Sequence, residues 1–497
     1  MSFFWAGRFS EKPSDILKHY YADEMRLPHF MEALHWWDKA QIVVLAEQKL
    51  APDDAIRNLV KALDAMEQEG VVKAREGQWN VIHGGEEYMR KHCDEGNAGW
   101  LHLGRSSPSL RVVASRIAFR NFLVQIMANV NDLRDSLMNL AEQHLETVMP
   151  GYSYLQHIKP TTLGFYLMSW IEPLERDYRR FESCYRNTNI SSVGTAEAFG
   201  IEFPIDLERL DELLGFDAAP WNARDSIRNY DYMIETYMAL ALMHNSIGRI
   251  AMDFLVWHTV EFGFIQAPDR LSITSSTSPQ MHIPYVLEFV HGTSGLTAGR
   301  LMEALAITKT ASDQLEMSTL LNTEFVKCAE ESRYAIAAMC DLLSGMKVFK
   351  ERMAQVANDY SSQVGAFIEY AIREKRMAYR TAHQVLAKLM QRVAATHTRP
   401  ADIPVEWVEQ AAIEYTGVGI GITQATLTEI FDAMHSVRQR KYRGGTAPER
   451  VVEHIAHARA RLAEDRVSLV KLSDGVVKAE NKLTGAFADL KKRVLAA

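Results

Sequence analysis

Residues 272–284 read SITSSTSPQMHIP. The Ser/Thr-rich run 272–278 suits a mobile loop, because hydroxyl side chains bond to nearby backbone groups in place of helix or strand ladders. The proline at 279 reinforces the break. Such a loop has two readings. It closes over a ligand and excludes solvent, or it is a polar surface loop that binds nothing.

The remainder of the chain sets the limits. Its 497 residues suffice for two or three domains and a large core. Composition is that of a water-soluble globular protein, 47% hydrophobic and 24% charged. The net charge of -8 comes without a basic block, so nucleic acid is not an expected partner. Cys93, Cys184, Cys328 and Cys340 are scattered, matching neither a disulfide framework nor a zinc spacing, and read as buried thiols in a reducing compartment. The start, MSFFWAGRF, lacks a cationic opening and a long apolar run, and the most apolar segment (233–257) carries His244, Asn245, Arg249 and Asp253. Neither a secretory signal nor a membrane span is expected, and the expected location is cytoplasmic. With no metal cluster or nucleotide-binding glycine motif evident, no cofactor is expected.

Helix dominates. Phe119, Leu123, Ile126, Val130, Leu133, Leu137, Leu140 and His144 recur in alternating steps of four and three, a heptad seam. Tyr230, Met233, Tyr237, Leu240, His244, Ile247, Ala251 and Phe254 form a second. Two seams of this length require helices that pack along their whole length, with other apolar faces available to a neighbouring subunit. An all-α, three-domain chain is expected. Shorter helices over 1–110 are broken by Gly70, Gly84–Gly85 and Pro108. Long bundle helices fill 111–360. Shorter helices return over 361–497, with breaks at RPADIP (399–404) and RGGTAP (443–448).

Six stretches occur in order: FWAGRF (4–9), LHLGRSSPSLRVVASR (101–116), MPGYSYLQHIKPTTLGF (149–165), FPIDLERLDELLGFD (203–217), EFGFIQAPD (261–269) and GGTAPERV (444–451). With the 272–284 loop, the chain resembles the argininosuccinate lyase branch of the fumarase/aspartase superfamily. That resemblance implies a three-domain helical subunit, a homotetramer around a shared bundle, and active sites composed from three subunits. It also implies anti elimination of a C–N or C–O bond beside a carboxylate, with a small carboxylate or amino-acid substrate as partner.

The resemblance assigns roles position by position. Ser275 matches the serine base, a role that needs donors for its alkoxide. Glu288 matches the glutamate that orients a catalytic histidine, but Tyr154 stands in the histidine's place. Tyrosine is an acid or donor at neutral pH rather than a ready base, and the residues leave open whether Tyr154 acts so or only fills space. His102, Arg105, Ser106, Ser153, Gln156, Lys159, Ser276, Gln280 and His282 are the implied substrate-binding positions. Arg105 is the expected bidentate carboxylate clamp, or else pairs with an acidic neighbour inside the bundle. The departures are substantial. Met281 replaces a carboxylate-gripping lysine, Ile283 an asparagine, and Ser107, Pro108 and Ser109 an Arg-Asn-Asp run. Lys159 or His282 would have to supply the lost cation. Residues 315–323 read LEMSTLLNT and lack the branch's arginine-end recognition set. Two functions follow as expectations: a carbon–nitrogen lyase on an amino-acid-derived carboxylate other than argininosuccinate, or an inactive relative with a structural or ligand-binding role.

Overall fold

The computed structural model describes residues 11, 14, 16–17, 23–78, 80–309, 317–360 and 362–496. The FWAGRF segment and residues 315–316 of the recognition stretch lie outside them. The elements used below are α1 (Pro28–Glu47), α2 (Asp53–Glu69), α3 (Val71–Glu76), α4 (Gly84–His92), α5 (Ser107–Gln143), the hairpin β1 (Val148–Ser153) and β2 (Gln156–Thr162), α6 (Ile171–Thr188), α7 (Leu207–Leu214), α8 (Asp231–His258), α9 (Tyr285–Ile307), α10 (Met317–Gly345), α11 (Lys350–Asp359), α12 (Ala366–Lys375), α13 (Tyr379–Thr396), α14 (Val405–Thr416), α15 (Gln424–Ile430), α16 (Ala433–Gln439) and α17 (Pro448–Ala496). The four free cysteines are buried (Cys184, Cys328) or half-buried (Cys93, Cys340).

The 37-residue α5 begins at a capping box. Ser106 Oγ accepts the Ser109 N–H at 3.3 Å and Ser109 Oγ accepts the Ser106 N–H at 3.0 Å. Pro108 therefore does not break the chain as expected. It sits in the first turn, where a missing N–H leaves no helix bond unmade. Both heptad seams face the subunit's own interior. Phe119 stacks on Phe325 of α10 at 3.4 Å, and the Tyr237 hydroxyl donates to the Leu321 carbonyl at 2.8 Å. His244, the polar member of the second seam, is buried against Ser332 Oγ at 2.7 Å. Burial holds its pKa down to about 4, so it packs as a neutral donor.

Arg120 is a buried cation on α5. It donates to the carbonyls of Leu214 and Gly215 and to Asn189 Oδ1 at 2.6–2.8 Å, closing the negative end of α7. Gly215 has φ +73°, and a Cβ there would meet Ala479 of α17 at 2.9 Å. On the same helix, burial pushes the Asp211 carboxyl up to about 7 although the Ser191 hydroxyl donates to it. An unfolded Asp titrates near 4, so the folded state holds this proton more tightly. That contribution is complete below about pH 4 and is lost as pH rises through 7. Asp211→Asn should raise the denaturation midpoint at roughly pH 8 and do so by only about a third as much at roughly pH 5. Equal shifts at both pH values would refute this.

Two large apolar cores divide the described residues. One runs from Met25 to Val356 and takes in Val451, Ile455, Leu462, Leu483, Phe487 and Leu490. The second lies within Val364–Phe431. The expected shorter helices at the C-terminal end are thus found only up to α16. The 49-residue α17 runs back along α5, α1 and α7 and completes the main core. The reason is its apolar stripe (Val451, Ile455, Ala458, Leu462), which the small second core has no face to cover. The β1–β2 hairpin is fastened to α11 and α16 by Val148, Ala357, Ala433 and Val437. Arg440 also donates to the Pro160 carbonyl.

Candidate active site

The 272–284 loop is closed at its base by a two-way backbone pairing, with Ile273 N–H to Ile283 O at 3.0 Å and Ile283 N–H to Ile273 O at 2.9 Å. Inside it, Ser275 Oγ accepts the N–H groups of Thr277 and Ser278, both at 3.2 Å. Thr274 Oγ1 donates to the Pro279 carbonyl at 3.1 Å. The loop is thus a hydrogen-bonded cradle around Ser275 Oγ, set by the hydroxyl spacing. Ser276 and Gln280 are exposed. Gln280, Met281 and His282 line a cleft of about 460 Å³ with His258, Thr259 and Phe349. His282 is held in place rather than free to swing. Its Nε2 lies 3.0 Å from Asp269 Oδ1, and its carbonyl lies 2.9 Å from His258 Nε2. Glu288 is exposed in the first turn of α9, where a carboxylate complements the helix dipole.

A second group sits on the hairpin. Ser153 pairs with Gln156 across a two-residue turn formed by Tyr154 (φ +55°) and Leu155 (φ +57°). Consecutive left-handed residues suit a tight hairpin, but Tyr and Leu occupy that region at a steric cost of about 1 kcal/mol or more each. Tyr154 is 97% exposed and projects outward from the subunit. Lys159 is exposed and pairs with Glu369 of α12 at 2.6 Å. Such a pair is worth about 0–1 kcal/mol, so a ligand anion can compete for the ammonium.

The third group opens α5. Of the two readings of Arg105, the pairing with an acidic neighbour is the one found. Arg105 is buried, donates through Nη2 to Asp38 Oδ1 at 2.8 Å, and lies over the Trp37 ring. Asp38 also receives Arg75 on its other oxygen. Ser106 is likewise engaged, with its hydroxyl capping α5 and donating to the Ala196 carbonyl at 2.7 Å. The common cause is burial: a guanidinium or hydroxyl taken out of water must find partners within the fold. His102 is more open, with 37% of its side chain exposed, and its Nδ1 is 3.3 Å from Glu86 Oε2.

Among the described residues, no hydrogen bond, ion pair or ring contact joins these three groups to one another. Sequence reasoning missed Asp38, His83 and Glu86. The His-x-x-Glu spacing at 83–86 was the only available signal, since their partners come from distant segments.

The sequence model of the family described as Lyase matches residues 45–299, half of the chain. The chain belongs to the lyase family. This family member is 28% identical over 459 residues to an argininosuccinate lyase of Methanococcoides burtonii, covering 92% of this chain and 91% of that one. It is 29% identical over 472 residues to an argininosuccinate lyase of Azoarcus sp. (strain BH72), covering 92% and 96%. Its fold superposes on EDDS lyase in complex with formate with a TM-score of 0.85 at 23% identity, over 95% of this chain and 97% of that one. These matches place the lyase in the fumarase/aspartase superfamily, on the argininosuccinate lyase-like side, with that superfamily's helical subunit. No helix among its described residues is long and apolar enough to cross a membrane.

Proposed function

We propose that this lyase-family chain is a carbon–nitrogen lyase acting by anti elimination on an amino-acid-derived carboxylate other than argininosuccinate, in either direction. The observation that carries the reading is the cradle at Ser275. Two convergent N–H groups at 3.2 Å stabilise negative charge on Oγ, which an alkoxide base requires. In the proposed reaction Ser275 takes the proton next to the substrate carboxylate, and the carboxylate absorbs the resulting charge. The C–N bond then breaks with its electron pair going to nitrogen, a C=C bond forms, and the amine leaves after protonation. Tyr154, through its hydroxyl, is the proposed acid. Lys159, Gln280 and His282 are the proposed anion-facing groups, with Ser153, Gln156 and Ser276 beside them and Glu288 orienting the acid.

These groups meet only if subunits assemble, so the proposal includes a homotetramer with composite sites. Supporting it, α9 presents Phe289, Leu296 and Met302 at 61%, 58% and 64% exposure. Gly292 and Gly299 lie on the same stripe, with nothing within 4 Å of where a Cβ would stand. A helix face of this kind is suited to a neighbouring helix. Burying each of the three side chains contributes roughly 1.5–3 kcal/mol. Phe289→Glu with Leu296→Glu should therefore dissociate the assembly, read as mass by light scattering. Unchanged mass in the double variant would remove the tetramer reading.

A second reading has its own support: Arg105 and Ser106 serve the fold, and Met281 and Ile283 offer no charge. On that reading the chain is an inactive relative that binds a ligand or acts structurally. The discriminating test is an ultraviolet assay for new conjugated alkene with a panel of N-substituted aspartates. A rate that disappears in Ser275→Ala supports the lyase. Silence across the panel, with wild type and Ser275→Ala binding the same compounds equally, supports the inactive relative.

A further inference from the structure

Where α4 begins, three side chains turn toward one point. Glu86 Oε2 lies 3.5 Å from His83 Nδ1 and 3.3 Å from His102 Nδ1, and the donor atoms of all three residues fall within 4.8 Å of one another. His83 comes from the turn before α4, Glu86 from its first turn, and His102 from the short 3₁₀ turn ahead of α5. Neither Glu86 Oε2 nor His102 Nδ1 has a hydrogen-bond partner of acceptable geometry, although both atoms are shielded from water. We propose that His83, Glu86 and His102 form a binding site for a divalent transition-metal ion of the zinc type.

The two spacings to Glu86 are those of adjacent ligands on one ion, and the third pair lies within 4.8 Å. With bonds of about 2.1 Å, tetrahedral neighbours stand about 3.4 Å apart, against 3.5 and 3.3 Å here. Two imidazoles and a carboxylate are a borderline donor set suited to zinc, cobalt or nickel rather than magnesium or calcium. The supporting shell is also in place. His83 Nε2 is 2.8 Å from Ser107 Oγ. If that nitrogen carries the proton, Nδ1 keeps its lone pair toward Glu86, the arrangement common for metal-bound histidine. Arg105 is the nearby like charge, and Asp38 offsets it. The half-exposed His102 marks the open side, where water or a small carboxylate would complete the coordination.

The test uses the full chain stripped with chelator, one portion dialysed against Zn²⁺ and a separate portion titrated with Co²⁺. One ion per chain is expected, with visible Co²⁺ absorption of a four- or five-coordinate site. His102→Gln, at a partly exposed position, should weaken binding ~100-fold or more, as should Glu86→Gln, and Ser107→Ala ~10-fold. Absence of stoichiometric binding by the wild type overturns the proposal. So does binding that both His102→Gln and Glu86→Gln leave unchanged, since the ion would then sit elsewhere. These readouts are independent of lyase turnover.

Discussion

Asp38→Asn is expected to cost roughly 3–5 kcal/mol of folding stability, measured as the shift in urea midpoint at constant slope. Asp38 is 1% exposed, and its two oxygens separately receive Arg75, which is fully buried, and Arg105. Burial alone would raise its carboxyl, but the two guanidinium groups more than reverse this and hold it below the ordinary range. Asparagine keeps the shape but leaves two cations without the charge that justifies their burial. The backbone has been fitted to this cluster as well. A Cβ at Gly85 would run into Asp38 Oδ2 and Arg75 Nη2, which explains one of the paired glycines at 84–85. The pH response has a definite sign. Because the folded carboxyl is depressed, its contribution is present above the unfolded value near 4 and is lost as pH falls through the folded one. A loss below about 1 kcal/mol would show that water reaches the cluster.

Ser275→Ala is expected to lower kcat by roughly 10²–10⁴-fold with little change in KM, the pattern for a group that acts only in the transition state. The fold should be indifferent to the change. The loop is closed by the Ile273–Ile283 backbone pairing, which does not involve the hydroxyl. The bonds lost are those with the Thr277 and Ser278 N–H groups and with the Thr277 hydroxyl, all able to turn to water in a partly exposed loop. Single-turnover rates on the best compound from the aspartate panel provide the measurement. Activity within a few-fold of wild type would dismiss Ser275 as the base and leave the cradle as turn chemistry.

Features written locally in the chain form where they were expected, and those that depend on distant partners do not. The heptad steps located α8 within a few residues and α5 from Phe119 to its end, because a stripe repeating every three to four positions is written directly into the chain. The hydroxyl spacing around Ser275 was similarly local, and the loop forms at the expected place. Arg105 and Ser106 had the same motif-level support, yet both serve the fold. Their partners, Asp38 and Ala196, lie 67 and 90 positions away, and no short-range pattern announces them. Pro108 shows the converse. Its effect on the backbone was correctly anticipated, but whether that effect breaks a helix or begins one depended on a cap at Ser106.

Composition, periodicity and ordered motifs by themselves determined that the chain is a helical member of the lyase family, with a hydroxyl-lined loop at 272–284 that carries Met281 and Ile283. Only the tertiary structure decided that α17 folds back to close the main core, that Tyr154 is lifted to the tip of a strained turn, and that His83, Glu86 and His102 converge. The physical reason is range. Helix periods and turn chemistry are set by neighbours a few residues apart, whereas burial creates pairs from whatever segments packing brings together, and it is burial that turns an arginine into a strut and two histidines with a glutamate into a candidate ion site.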